Sequence, residues 1–92
     1  MQEYMVTTVG GYKSASRVYR AENISNLRRR LADEYTSVRP GTYILSVRAP
    51  ITGVLIGNMK VSNGFYVGMT EYEWETPTGK ISEVNPKTGR LM

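Results

Sequence analysis

The chain has no cysteine and no histidine, and these two absences remove most familiar chemistry. Without thiols there is no disulfide scaffold, no thiolate nucleophile and no cysteine-ligated zinc or iron–sulfur centre. Without imidazole there is no Ser-His-Asp or Cys-His arrangement and no common zinc or non-haem iron site. The side chain that ordinarily exchanges protons near neutral pH is missing as well. Long apolar runs are also absent. Nothing approaches the roughly 20 residues that cross a bilayer as a helix. Met1-Gln2-Glu3-Tyr4-Met5 has neither the basic nor the apolar region of a secretory leader. These features predict a reducing, cytoplasmic setting with no membrane partner. In that setting Asn23-Ile24-Ser25 matches the glycosylation sequon by chance.

Phosphate-cradling glycine loops are missing too. Gly53, Gly57, Gly64 and Gly68 fall within strand-like stretches and turns, with no helix following to supply an anion-binding N-terminus. No cofactor, metal or catalytic residue is therefore expected, and the chain is read as no enzyme.

What is present is ordinary globular material. A length of 92 residues fits one small domain, spanning 1–92, with a modest core. The formal net charge is +4, and it is unevenly placed. Residues through Arg48 carry eight cations against four acids, and the remainder balances four against four. An arginine-rich half points weakly to an anionic partner.

The pattern predicts a two-layer α+β sandwich in the order β-β-α-β-β-β, with a further short β at the end. Tyr4–Val9 is β-branched and aromatic, and Gly10-Gly11 ends it in a reversal. Ser16–Ala21 alternates, with Val18 and Arg20 on one face and Arg17 and Tyr19 on the other. One helix follows over about 24–37. Ile24, Leu27, Leu31 and Tyr35 form a single stripe with Ala32 beside it, Asn23 caps the start, and Arg39-Pro40-Gly41 stops it. Beyond Pro40 the period becomes two. Thr42–Ala49, Val54–Val61, Phe65–Glu75 and Ile81–Val84 read as an antiparallel meander, with Arg90-Leu91-Met92 left for a last short strand. Val54–Val61 begins almost wholly apolar, which suggests a central strand. Asn63-Gly64 is a strong hairpin signal, and the loops ending in Gly79 and Gly89 suit left-handed glycine.

Three constellations could carry a function. Glu71, Glu73 and Glu75 share one strand face and could offer oxygen to a cation, though charge on an exposed strand face needs no such purpose. On the opposite face Tyr66, Tyr72 and Trp74 could stack on bases or anchor a protein partner, or else cover the helix-facing core. Arg28, Arg29 and Arg30 on the helix, with Lys13, Arg17 and Arg20 on the hairpin, could contact phosphates. The plainer account pairs Arg29 with Asp33 and Arg30 with Glu34 along the helix.

The leading expectation is a non-catalytic protein-interaction module. In element order and size the chain is similar to some small phage-encoded anti-CRISPR inhibitors. That likeness is one of topology, carried by no motif, and it implies an accessory or inhibitor protein that works by binding a partner. The alternative is a nucleic-acid-binding module using the arginine-rich helix and hairpin. A remoter one is a toxin-type ribonuclease working without histidine, for which no general base can be placed. A sheet this small leaves an unpaired edge, so homodimerisation through that edge is a further expectation.

Overall fold

The computed structural model describes residues 1–10, 15–36, 39–64 and 70–92. The elements are β1 (Gln2–Gly10), β2 (Ala15–Ala21), α1 (Ile24–Tyr35), β3 (Gly41–Arg48), β4 (Leu55–Asn63), β5 (Thr70–Glu75) and β6 (Ile81–Glu83). They form one antiparallel sheet of order β2-β1-β3-β4-β5-β6 with the helix on one face, as the sequence pattern predicts. β4 is central, consistent with its apolar start. Lys13, Tyr66 and the stretch Phe65–Met69 lie outside the described residues.

The helix forms where its stripe is. Leu27, Leu31 and Ala32 are fully buried, with Ile24 and Tyr35 at the margin. The Asn23 side chain accepts a hydrogen bond of 2.9 Å from the Asn26 N–H, satisfying a first-turn donor that has no partner inside the helix. The helix ends at Tyr35, two residues short of the predicted 37. Its C-terminal end is tied to the sheet: the Tyr72 hydroxyl donates to the Ala32 carbonyl at 3.1 Å.

Strand alternation decides what the helix covers. Tyr4 and Val6, Tyr19 and Ala21, Tyr43, Leu45 and Val47, Met59 and Val61, and Tyr72 and Trp74 all face it and are buried. Between β3 and β4 the register shifts by one residue, so that Val47 faces Gly57 while Arg48 faces Leu55. This bulge turns Ile56 towards the core.

Two turns depart from the simplest sequence reading. The pairing of β4 with β5 ends at Asn63 opposite Thr70, so Asn63-Gly64 does not form a two-residue hairpin. At the C-terminus no full strand forms. Leu91 makes a single bridge to Val84, and the Met92 N–H donates to the Glu83 carbonyl at 2.8 Å.

Two glycines hold the packing together. At Gly57 an added Cβ would lie 2.2 Å from the Trp74 ring, so the bare backbone is the floor on which the indole rests. Gly89 is left-handed at φ 70°, and its Cβ would lie 1.9 Å from the Ser25 carbonyl oxygen. The C-terminal loop thus packs against the first turn of α1, where no side chain fits. Gly57→Ala is expected to cost about 1–3 kcal/mol through overpacking, and Gly89→Ala at least as much, since it adds backbone strain. Urea unfolding of each variant checks this, and a near-neutral result at Gly57 would mean that the indole does not lie on the strand.

Candidate functional site

The sequence groups six basic residues, and the structure separates them. Arg17 and Arg30 converge on Tyr19 where β2 meets the helix, while the Arg20 side chain lies on the other face of β2. The Tyr19 ring is buried, with the Arg17 and Arg30 guanidinium carbons 5.6 and 5.4 Å from its centroid. Its hydroxyl donates to the Glu34 carboxylate, which also lies 3.7 Å from Arg17. Burial, reinforced by the hydrogen bond and the negative charge of Glu34, pushes the Tyr19 hydroxyl well above its ordinary range, and Arg17 opposes this only in part. Arg20 lies 4.0 Å from Glu3. Arg30 donates to the Arg20 backbone carbonyl, covering a group on the outer edge of β2. Neither expected helix pair forms: Glu34 turns to Tyr19 and Arg17 instead of Arg30, and Arg29 makes no ion pair with Asp33.

Arg28 departs furthest from expectation. It is 5% exposed, and its guanidinium carbon sits 5.0 Å above the Trp74 ring. Nε donates to the Gly89 carbonyl at 2.7 Å and Nη2 to the Ser25 hydroxyl at 3.1 Å. Burial lowers its pKa, and among the described residues no carboxylate pairs with it. Arg28 therefore belongs to the core and offers no phosphate contact. Arg29 remains exposed on the helix.

Tyr72 and Trp74 are likewise buried beneath α1, at 6% and 4% exposure. They form part of the core, because the inward face of β5 lies under the helix while Glu71, Glu73 and Glu75 point to the other side. Placed there, the rings are unavailable as stacking platforms or surface anchors. Among the described residues no group of three carboxylates is close enough to hold a metal ion. Glu73 instead faces Lys60 on one side and Glu83 on the other.

The surface that remains is the sheet face opposite the helix, and sequence reasoning missed it. β2 contributes Ser16, Val18 and Arg20; β1 contributes Glu3, Met5, Thr7 and Val9; β3 contributes Thr42, Ile44, Ser46 and Arg48. Cross-strand register aligns Val18, Met5, Arg48 and Leu55 in one row and Val9, Ile44, Lys60 and Glu73 in another. Val9 and Val18 are half exposed, at 50% and 55%, and Met5, Ile44 and Leu55 are half-buried by their neighbours alone. Val54 and Ile51 in the β3–β4 turn are also exposed. Hydroxyl and amide groups of Thr7, Ser46 and Asn58 lie between the apolar positions, and Ser46 donates to Asn58 at 2.8 Å. The signal for this face lies in the sequence as valines, isoleucines and a methionine on the strand positions that alternate with the core set.

Two expected outcomes follow. Arg28→Met should lose about 2–3 kcal/mol, the scale of a buried charged hydrogen bond. Arg28→Lys should not rescue it, since an ammonium lacks the planar fork that both lies on the ring and reaches Gly89; urea unfolding measures both. Tyr19 has a folded pKa above its ordinary value of 10.0, so its contribution to stability is complete below about pH 10 and is lost as pH rises further. Tyr19→Phe should flatten the alkaline fall in stability, read as the difference between the two unfolding curves across that window.

Among the described residues no helix is long and apolar enough to cross a membrane. No family model, no curated protein and no solved structure matches the chain.

Proposed function

We propose that this protein is a non-catalytic interaction module that binds a protein partner through the sheet face opposite the helix. The observation that carries this reading is the one-sided cover. A single helix lies over one face of a six-stranded sheet, and the other face keeps Val9, Val18, Met5, Ile44 and Leu55 at its surface. An antiparallel sheet that merely faces water alternates apolar residues inward and polar ones outward. Here the outward set is mixed: Val18, Met5 and Leu55 in one row and Val9 and Ile44 in another flank a polar row of Ser16, Thr7, Ser46 and Asn58. Apolar side chains left on an uncovered face and interleaved with hydrogen-bonding groups support contact with a protein partner, since such interfaces combine apolar area with hydrogen bonds.

Contact with nucleic acid is the second reading, favoured by Arg17 and Arg30 over the Tyr19 ring, with Arg20 next to it along β2. The geometry supports it less. Arg28 is withdrawn into the core, while Arg17 and Arg20 already face Glu34 and Glu3. A phosphate would have to displace these carboxylates, and the remaining cations span only a short edge.

Photo-cross-linkers placed singly at Val18, at Ile44 and at Asp33 on the helix separate the two surfaces. Adducts are expected from the two sheet positions and not from the helix position. Titration with single- and double-stranded DNA and RNA at about 50 mM and 200 mM salt is run beside it, with no steep salt-dependent binding expected. Adducts confined to Asp33, or affinity that collapses between the two salt conditions, would move the function to the basic edge.

A further inference from the structure

We infer that the partner on the open sheet face is a second copy of this chain, packed face to face about a two-fold axis that runs diagonally across the strands. This rests on the reading of that face as a protein interface and adds the identity of the occupant.

Charge is distributed on the face by corner. Register places Arg20 beside Glu3 at the end where β1 begins, with Arg48 one row further in, beside Met5. At the opposite corner Glu71 faces Ser62, and Glu73 faces Glu83 on β6. Glu75 lies one row nearer the middle, opposite Asn58. The cationic corner thus lies on β2, β1 and β3, and the anionic corner on β5 and β6 at the other end of the strands. Glu73 and Glu83, directly opposite each other, repel across the strand pair, and Lys60 faces Glu73 from the neighbouring strand. A face with this pattern is complementary to itself when one copy is turned over about the other diagonal. On the flat lattice given by strand spacing of ~4.8 Å and a rise of ~3.3 Å per residue, that rotation sets Arg48 of one copy between Glu73 and Glu75 of the other. The same rotation sets Arg20 between Glu71 and Glu83 and brings its neighbour Glu3 against Glu83, so the attraction at this corner is that of two arginines less one carboxylate. Val9 and Ile44 fall near the axis and meet their counterparts.

The resulting crossing of the strands is close to a right angle, which is one of the two established ways for sheets to pack. A two-fold contact must be self-complementary, and here the two corners that meet carry opposite net charge. The area also suffices. Six strands of this length present roughly 600 Å² of flat sheet at those spacings, more once side-chain relief is counted, close to the ~800 Å² per partner of a standard interface. The free sheet edge is the poorer route to a dimer. On β2 the Arg30 guanidinium already occupies the Arg20 carbonyl, and at the other margin Met92 donates to the carbonyl of Glu83.

Sedimentation equilibrium of the full chain from low to hundreds of micromolar tests the proposal, since a dimer dissociates by mass action. A two-fold dimer is expected, weakening as salt rises because its corner charges are screened. Arg48→Glu and Glu73→Arg should each weaken it by about tenfold or more, the factor that 1.4 kcal/mol represents. An equimolar mixture of the two variants should re-form a dimer of one copy of each, because both corners then match again. Circular dichroism melts establish that each variant is folded. If a variant is not, the salt dependence of the unaltered chain and a methyl-exchange footprint on Ile44 decide the matter. A chain monomeric throughout, or a dimer indifferent to salt and to both reversals, overturns the inference. In that event cross-links from Val18 and Ile44 to a different protein would still support the open face as an interface, whereas loss of cross-links there as well would remove both.

Discussion

The Arg28 guanidinium lies on the face of Trp74, and the rest of the architecture is arranged around that contact. The indole can lie flat against β4 only because Gly57 presents no side chain beneath it. The guanidinium can cover the indole only because the Gly89 carbonyl and the Ser25 hydroxyl accept its protons. An arginine this deeply buried without a carboxylate is costly unless its donors are met. Here the partners come from the first turn of the same helix and from a loop 61 residues further along the chain. Helix, central sheet and C-terminal segment are fixed by one side chain that a reading of composition would assign to the surface.

A second constraint is the use of tyrosine where a small core meets water. Tyr4, Tyr19, Tyr43 and Tyr72 each bury a ring beneath the helix and find a partner for the hydroxyl: Gln2, Glu34, the Arg39 carbonyl and the Ala32 carbonyl. Tyr35 at the helix end shares a hydrogen bond of 2.7 Å with Thr8. Large rings supply apolar area that a chain of this length cannot otherwise bury, and each polar tip is placed at the margin where it can be satisfied. Among the described residues no buried side-chain nitrogen or oxygen lacks a partner.

Much of this was legible in the residues. The period-two stretches, the Leu27–Leu31 stripe, the Asn23 cap and the glycines of the late loops all act locally, so their pattern carries their conformation. The candidate surface was less legible, because it depends on which side of a strand the single helix chooses. For Tyr72 and Trp74 alternation says only that they share a face, and the topology decides that this face is the covered one. Arg28 shows the same limit. Its place beside the leucine stripe is visible, but burial requires a carbonyl donated by Gly89, which no local pattern announces. The i,i+4 acids near Arg29 and Arg30 misled for the same reason: Tyr19 on β2 is a better partner for Glu34 than a solvated neighbour on its own helix.

The strand order has a consequence for how the chain finds its fold. β1 and β2 are a hairpin of sequence neighbours, and β3 to β6 are joined in succession, so each group can pair from local contacts. The two groups meet along one seam, where Met5 through Gly10 run against Arg48 through Tyr43. That seam joins residues over thirty positions apart, and closing such a loop carries an entropic cost that local pairing does not. The helix spans the interval between them and lies over the strand that must be inserted. It therefore serves as a tether that shortens the search, and the docking of β1 against β3 is the step at which two half-sheets become one cooperative unit.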